Sequence, residues 1–136
     1  MESRNDHQEI LLISTDRIDI RKIEMQLMQV SSMIYHVFSC GDIAEATKKL
    51  ANNDYTPDII ILDMRIANTT PADDVYKQLK ALAHGIPVMA LTGDSDDERG
   101  QAALLMGPDD QNHIDRGHLY EMTTIIRSML NNKDRV

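Results

Sequence analysis

The sequence contains no tryptophan, one phenylalanine and one cysteine, and aromatic residues make up 4% of its 136 positions. Because Cys40 is the sole cysteine, an internal disulfide is excluded, and no cysteine–histidine group has the spacing of a zinc site. The scarcity of aromatic rings argues against a surface that stacks nucleobases or flavins. There is no apolar run of about 18 residues, and the chain begins with polar residues, so neither a transmembrane helix nor a secretory signal is predicted. These absences predict a reduced, cytoplasmic protein.

Positive charge is also scarce in this sequence. Lysine and arginine number 14 against 22 aspartates and glutamates, which gives a formal net charge of -8. Such a chain repels phosphate groups, so we expect neither nucleic acid nor an anionic membrane as a direct partner. The length and the apolar content of 42% predict a single globular domain over residues 1–136. The alternative left open is that this domain is the N-terminal part of a longer protein.

Short apolar runs bounded by polar or proline-containing stretches recur along the chain. Runs of this length and composition are typical of strands buried on both faces of a sheet. Strands are predicted at Glu9–Ile13, Tyr35–Cys40, Asp58–Asp63 and Ile86–Thr92 and, from a weaker polar pattern, at Gln111–Ile114.

Between these runs, apolar residues recur at helical spacing. Asp16 and Asp42 are predicted to cap the first two helices, and a capping-box pattern at Ser95–Glu98, with Gly107 at the far end, predicts another. The predicted inward-facing residues are Ile20, Ile23, Leu27 and Val30, then Ile43, Ala46 and Leu50, then Val75, Leu79 and Leu82, and finally Leu119, Met122, Ile126 and Met129.

Five successive β–α units predict a parallel sheet covered by helices on both faces. In such sheets the ligands and the chemistry gather at the carboxyl ends of the strands. At that edge the sequence places Ser14, Thr15 and Asp16 after the first strand, Asp63 after the third, Thr92 after the fourth, and His113, Ile114 and Asp115 near the fifth.

Asp63 follows the apolar run Ile59–Leu62, and two interpretations of it stay open. A carboxylate held by a rigid strand, with its oxygens in a solvent-open crevice, is suited to attack a phosphoryl group and form an acyl phosphate. Alternatively, Asp63 only caps the following loop by accepting hydrogen bonds from backbone N–H groups near Arg65 and Ile66.

Five stretches, in order along the chain, give the sequence a family likeness: ILLI, PDIIILDMRI, IPVMALTG, AALLMGPDD and LYEMTTIIRSML. Together they resemble the receiver domain of two-component response regulators over nearly the whole chain. The resemblance implies a flavodoxin-like (βα)5 three-layer sandwich with a parallel sheet of order 2-1-3-4-5. It also implies that Asp63 is the phospho-acceptor and that Thr92 is the residue that senses the phosphoryl group. The partners it implies are a histidine kinase, a phosphotransferase or an output domain, and a homodimer is left open.

Several residues depart from the pattern of that family. Ser14 and Thr15 stand where family members carry the acidic pair that holds Mg²⁺, and Asp16 lies one place beyond the pair. Ile114 stands at the lysine position. Gln111 and Pro71, in turn, replace the family's switch aromatic and a glycine. The resemblance therefore implies a degenerate receiver, or pseudo-receiver.

A degenerate site of this kind should hold no metal or other cofactor, because Mg²⁺ needs carboxylate ligands that are missing here. Were the site to retain Mg²⁺, the candidate ligands would be Asp16, Asp63 and the backbone of Arg65. Without the lysine, Asp63 also lacks a donor for the transferring phosphoryl group. We therefore expect a protein that is phosphorylated poorly or not at all and acts through protein–protein interaction, with a conventional phosphorylatable receiver as the alternative.

An enzyme or nucleotide-binding protein on the same architecture is the least supported alternative. The turn STDRID after the first strand has no glycine, so it matches neither a dinucleotide fingerprint nor a P-loop. Arg65 occupies the position where a haloacid-dehalogenase phosphatase has a second aspartate. We therefore expect that the protein is neither a small phosphatase nor a flavin-binding protein, and that it is not an enzyme.

The remaining chemically notable residues have simpler interpretations. His36 and Cys40 are expected to be packing residues on the second strand, and His113 is not expected to serve as a cation at the site. The methionines of the first and last helices are interpreted as core residues, and an exposed methionine stripe on the first helix would indicate a partner surface. The segment DDQNHIDRGH, which includes Arg116, is predicted to contact partners.

Overall fold

The structure, a computed structural model, contains one parallel five-stranded sheet with the strand order β2-β1-β3-β4-β5. It describes residues 7–29, 33–52, 54–67, 72–83, 85–93 and 113–134. The strands are β1 (His7–Ile13), β2 (Ile34–Cys40), β3 (Ile59–Asp63), β4 (Val88–Thr92) and β5 (His113–Asp115). The predicted flavodoxin-like topology is confirmed.

Five helices accompany the sheet in the described ranges. They are α1 (Arg17–Met28), α2 (Ile43–Leu50), α3 (Met64–Ala67), α4 (Ala72–Leu82) and α5 (Met122–Asp134), and a 3-10 turn at Leu119–Glu121 precedes α5. Both predicted caps are confirmed. Asp16 accepts hydrogen bonds from the backbone N–H groups of Ile18 and Asp19, and Asp42 accepts one from Glu45. No helix among these residues is long and apolar enough to cross a bilayer.

The core consists of two layers, because successive side chains of a strand point to opposite faces of the sheet. In β3, Ile60 and Leu62 pack with α2, α3 and α4, whereas Ile59 and Ile61 pack with α1 and α5. All five residues of β3 and of β4 are buried. Asp63 continues the alternation of Ile59 and Ile61, which places its side chain on the same side of the sheet as α1 and α5.

Several elements differ from the sequence prediction. The residues after Asp63 form the short helix α3 instead of a loop, and β5 ends at Asp115, one residue later than predicted. The first two residues of the predicted fifth strand lie outside the described residues. Leu82 is exposed rather than buried, because it lies at the end of α4. The predicted helix between Ser95 and Gly107 lies outside the described residues, as do Val30 and Gln111.

Candidate functional site

Asp63 is the last residue of β3, but its carboxylate does not face an open crevice. Only 1% of the residue is exposed to solvent. The expectation of a solvent-open carboxylate is therefore wrong, and the reason is that neighbouring side chains cover it. Ser14, which follows β1, is buried beside it with 1% exposure, whereas Thr15 is exposed.

Two of the groups that contact Asp63 come from residues close to the ends of β1 and β3. The hydroxyl of Ser14 donates a hydrogen bond to Oδ2 of Asp63 over 2.8 Å. The backbone N–H of Arg65 donates to Oδ1 over 3.0 Å. The second contact confirms the capping interpretation for Arg65, since the carboxylate accepts from the backbone two residues further on.

Two arginine side chains complete the environment of Asp63. The Nη2 atom of Arg65 lies 3.0 Å from Oδ2, and its Nε atom lies 3.3 Å from Oδ1. The Nη2 atom of Arg116, one residue beyond β5, donates to Oδ1 over 2.8 Å. Two guanidinium groups therefore contact the carboxylate, so cations lie beside it.

The same two arginines bind a second buried carboxylate, that of Asp19 on α1. Its Oδ2 atom lies 2.6 Å from Nη2 of Arg65 and 3.1 Å from Nε of Arg116. Asp16 joins at the periphery, with Oδ2 3.2 Å from Nη1 of Arg65. We call Asp16, Asp19, Asp63, Arg65 and Arg116 the ion-pair cluster. It connects α1, β3 and the segment after β5.

Hydrogen bonding in the cluster stabilises the charged forms of Asp63 and Asp16. Burial alone would raise the pKa of Asp63, but hydrogen bonds from the Arg65 side chain, the Arg65 backbone and Ser14 outweigh it and lower this pKa below its usual value. The backbone N–H of Asp19, with a smaller contribution from Arg65, likewise lowers the pKa of Asp16. The hydrogen bond to Asp63 raises the already high pKa of Arg65. Asp16, Asp63 and Arg65 therefore stay ionised at neutral pH.

The residues around Asp63 do not fit a Mg²⁺ ion. Five donor atoms contact its two oxygens, and a carboxylate offers about four lone-pair directions. Two guanidinium groups would also repel a divalent cation. Among the described residues, no group of three or more His, Cys, Asp or Glu side chains is arranged to hold a metal ion.

Among the described residues, Thr92 and Ile114, which the resemblance also assigned to the site, form no hydrogen bond with Asp63. Thr92 is fully buried, and its hydroxyl lies 3.4 Å from the backbone oxygen of Ile114, an interaction at the weak end of hydrogen bonding. Ile114, at the position expected for the lysine, is 1% exposed and packs in the core with α1 and α5. A lysine there would have to leave the core to reach Asp63. Gln111 and Pro71 lie outside the described residues.

Sequence reasoning missed Asp19 entirely, and it did not place Arg116 beside Asp63. Asp19 stands four residues before Ile23 and eight before Leu27, on the apolar face of α1, and an acid on that face needs a partner. That spacing was the available signal. Arg116, predicted to contact partners, is 19% exposed at its side chain and lies against Asp19 and Asp63. Its main contacts are therefore within the chain, and the prediction that it also contacts a partner stays a prediction.

The simpler interpretations of the remaining residues have mixed outcomes. Cys40 is buried, and burial raises the pKa of its thiol to about 11, so it is a packing residue as expected. His36, by contrast, is not a buried packing residue. Its side chain is exposed, and its Nδ1 atom lies 2.9 Å from Oε1 of Glu9. Met122 and Met129 lie in the core as predicted. By contrast, Met25 and Met28 on α1 are 54% and 82% exposed, so the core interpretation is wrong for both.

Comparisons with known proteins agree with this fold. The family model of the response regulator receiver domain matches residues 10–112. A comparison with curated proteins gives no significant match.

Solved structures similar to this chain include several receiver domains. One is the signal receiver domain of an HD domain-containing protein from Pseudomonas fluorescens, with a TM-score of 0.75 at 15% identity, covering 100% of this chain and 98% of that chain. Another is a response regulator receiver domain protein from Clostridium thermocellum, with a TM-score of 0.72 at 19% identity, covering 93% and 97%. A third is the phosphorylated cyanobacterial phytochrome response regulator RcpA, with a TM-score of 0.67 at 22% identity, covering 95% of each chain.

Proposed function

Because the chain belongs to the family of response regulator receiver domains, we propose that it is a receiver of two-component signalling that works without phosphorylation. In this proposal Asp63 is a structural carboxylate and not a phospho-acceptor. The domain then acts by binding other signalling proteins in the cytoplasm, and it is not an enzyme.

The observation that carries the proposal is the enclosure of Asp63 by donors. To attack phosphorus, a carboxylate oxygen needs a free lone pair and a clear line of approach. Here Ser14, Arg65 and Arg116 occupy both oxygens, and the residue is 1% exposed. The depressed pKa of Asp63 adds a second obstacle, since a less basic oxygen is a weaker nucleophile.

The charges around Asp63 support the same conclusion. Receiver domains typically use Mg²⁺ at the phosphorylation site, where the cation neutralises charge on the phosphoryl group. In this chain Arg65 and Arg116 already neutralise Asp63, and Ser14 and Thr15 offer no carboxylate. We infer that the arginines replace the metal as a permanent counter-charge, without the open coordination positions that a metal would offer to a phosphoryl donor.

Helix α1 offers a surface for partners beside the ion-pair cluster. Its exposed apolar residues include Ile18, Met25 and Met28. Met25 also lines a cavity of about 290 Å³, together with residues that include Arg116 and Tyr120. The other exposed residues of the helix are mostly basic, namely Arg17, Arg21 and Lys22 against Glu24. We infer an acidic protein partner with an apolar contact face, of the kinase, phosphotransferase or output-domain class that the family implies.

The proposal is tested by exposing the protein to a small phospho-donor. Native protein and Asp63→Asn would be incubated with acetyl phosphate and millimolar Mg²⁺, then quenched in acid and measured by intact-protein mass spectrometry. A conventional receiver treated in parallel shows that the donor is active. We expect no added phosphoryl group on either form of this protein. Labelling of the native protein that disappears in Asp63→Asn would instead establish a conventional phosphorylatable receiver.

A further inference from the structure

Strand β2 ends the sheet on one side, and its outward edge carries apolar and aromatic residues. It is seven residues long and pairs with β1 without interruption from Ile34 to Cys40. Ile34 is 50% exposed and Phe38 is 37% exposed. Natural edge strands usually carry a proline, a lysine or a bulge that prevents pairing with another chain. The sequence IYHVFSC contains no proline or lysine, and its register with β1 has no bulge.

One hydrogen bond fixes which backbone groups of β2 face outward. The backbone oxygen of Cys40 accepts from the N–H of Ser14, which follows β1, so Cys40 directs its backbone groups towards β1. The N–H and C=O groups of one strand residue point to the same side, and this side alternates from one residue to the next. The backbone groups of Phe38, His36 and Ile34 therefore also point towards β1. The N–H and C=O groups of Tyr35, Val37 and Ser39 therefore point away from the sheet.

We propose that this edge pairs with β2 of a second copy of the chain, antiparallel and around a two-fold axis at Val37. This inference goes beyond the proposed function and does not depend on it. With Val37 opposite its own copy, Tyr35 lies opposite Ser39, and the three outward residues of each strand donate to the other. That arrangement forms about six backbone hydrogen bonds and joins two five-stranded sheets into one.

The side chains of β2 complement one another in this register. His36 lies opposite Phe38 of the second copy, twice by symmetry, in the closely spaced type of antiparallel pair. His36 contacts Glu9 in its own chain, and the Nζ atom of Lys49 lies 4.3 Å from the centroid of the Phe38 ring. The two-fold axis therefore brings the acidic Glu9 of one copy towards the basic Lys49 of the other. This charge complementarity favours a second copy over an unrelated strand.

The first test combines sedimentation with amide hydrogen exchange. Since a strand pair is a small interface, we expect a monomer–dimer equilibrium centred at roughly 100 µM. As concentration rises through the transition, the amides of Tyr35, Val37 and Ser39 should gain protection, while those of His36 and Phe38, already bonded to β1, should change little. A protein that stays monomeric at about tenfold higher concentration, or a dimer that leaves the Val37 and Ser39 amides unchanged, would overturn the proposal.

The second test changes one side chain and one backbone donor. Phe38→Lys places a cation opposite His36 of the second copy, and we expect dimerisation to weaken by about tenfold or more. Tyr120→Lys, an aromatic-to-lysine change at an exposed residue near the opposite edge of the sheet, is the matched control and should leave it unchanged.

Ser39→Pro removes an outward N–H, which edge strands tolerate, and should also weaken the dimer, whereas Ser39→Ala should not. Circular dichroism identifies any variant that fails to fold. A dimer that is lost in Tyr120→Lys but kept in both Phe38→Lys and Ser39→Pro would place the interface elsewhere.

Discussion

The Nη2 atom of Arg116 lies 2.8 Å from Oδ1 of Asp63, which links the segment after β5 to the carboxyl end of β3. The same guanidinium group reaches Asp19 on α1 through its Nε atom. Three elements that are distant in sequence thus share one ion-pair cluster. In a conventional receiver the corresponding edge of the sheet holds a metal and a phosphoryl group. Here it holds a set of charges that already satisfy one another.

Asp63→Asn should lower the stability of the protein. The substitution removes the charge that the two arginines share and turns an amide N–H towards donors, so we expect the free energy of unfolding to fall by roughly 2 kcal/mol. Urea denaturation at pH 7 measures this difference. Glu24→Gln removes one charge from an exposed position on α1 and should change stability by less than about 0.5 kcal/mol. An Asp63→Asn variant as stable as Glu24→Gln would mean that the cluster contributes little.

The stability difference between the native protein and Asp63→Asn should depend on pH in one direction. The pKa of Asp63 is lower in the folded protein than in the unfolded chain, where it is about 3.9. Its contribution is therefore complete above the unfolded pKa and is lost as pH falls through the folded pKa. Urea titrations should give a constant difference from about pH 7 to pH 5, and a shrinking one below about pH 4. The lowered pKa of Asp16 contributes to the stability of both proteins, so its effect cancels in the difference between them. A difference that grows in acid would contradict this assignment.

Magnesium should not bind near Asp63 in the native protein. Backbone NMR shifts around Asp63 should stay unchanged during a titration through millimolar Mg²⁺, because no oxygen lone pair is available and two arginines repel the cation. Saturable shifts centred on β3 and the turn after β1 would show a metal site and would count against a structural role for Asp63.

Rebuilding the site should restore phosphorylation. Ser14→Asp and Thr15→Asp supply carboxylates, Arg65→Ala frees Asp63, and Arg116→Lys keeps a single cation in reach. A lysine at Ile114 is unsuitable, because that side chain lies in the core. The fourfold variant should be less stable in chelator and recover with Mg²⁺, and it should gain a phosphoryl group from acetyl phosphate. Adding Asp63→Asn should abolish that gain, and a gain that persists would place the phosphate on another residue.

Partner binding should depend on α1 and not on the charge of Asp63. Met28→Lys introduces a cation on the most exposed methionine of α1 and should weaken a partner complex recovered by pull-down, whereas Asp63→Asn should leave it intact at temperatures where that variant is folded. Leu82→Lys, at an exposed apolar position on α4, is the matched control. The opposite ranking would restore phosphorylation as the controlling event.

Most of the fold followed from local patterns in the sequence. The apolar runs of β1, β3 and β4 and the helical spacing in α1, α2 and α5 reflect short-range periodicity, and parallel pairing with short connections leaves few topologies. The caps Asp16 and Asp42 are likewise local, since each bonds backbone groups within three residues. The weak polar strand β5 was predicted to end one residue too early, because its pattern contains little hydrophobic alternation.

Local sequence patterns predicted only part of the candidate site. Asp63 stood out because an acid ends a buried strand, and Ser14 and Thr15 stood out because the family resemblance implies acids at their positions. These are properties of a residue and its immediate neighbours. The environment of Asp63 is not local: its hydrogen bonds to Ser14 and Arg116 span 49 and 53 residues, and the bond from Arg116 to Asp19 spans 97.

The sequence by itself determined the parallel sheet, its two apolar faces and an aspartate at the carboxyl end of β3. Only the tertiary structure decided that this aspartate is enclosed, because an arginine side chain is long and can donate hydrogen bonds either to water or to a distant carboxylate. Arg116 pairs with a carboxylate instead of facing solvent because of where the chain turns after β5 and because Asp19 faces inward from α1. Because the Asp63 carboxylate is buried away from water, it must be paired with hydrogen-bond donors. Those donors leave neither of its oxygens free.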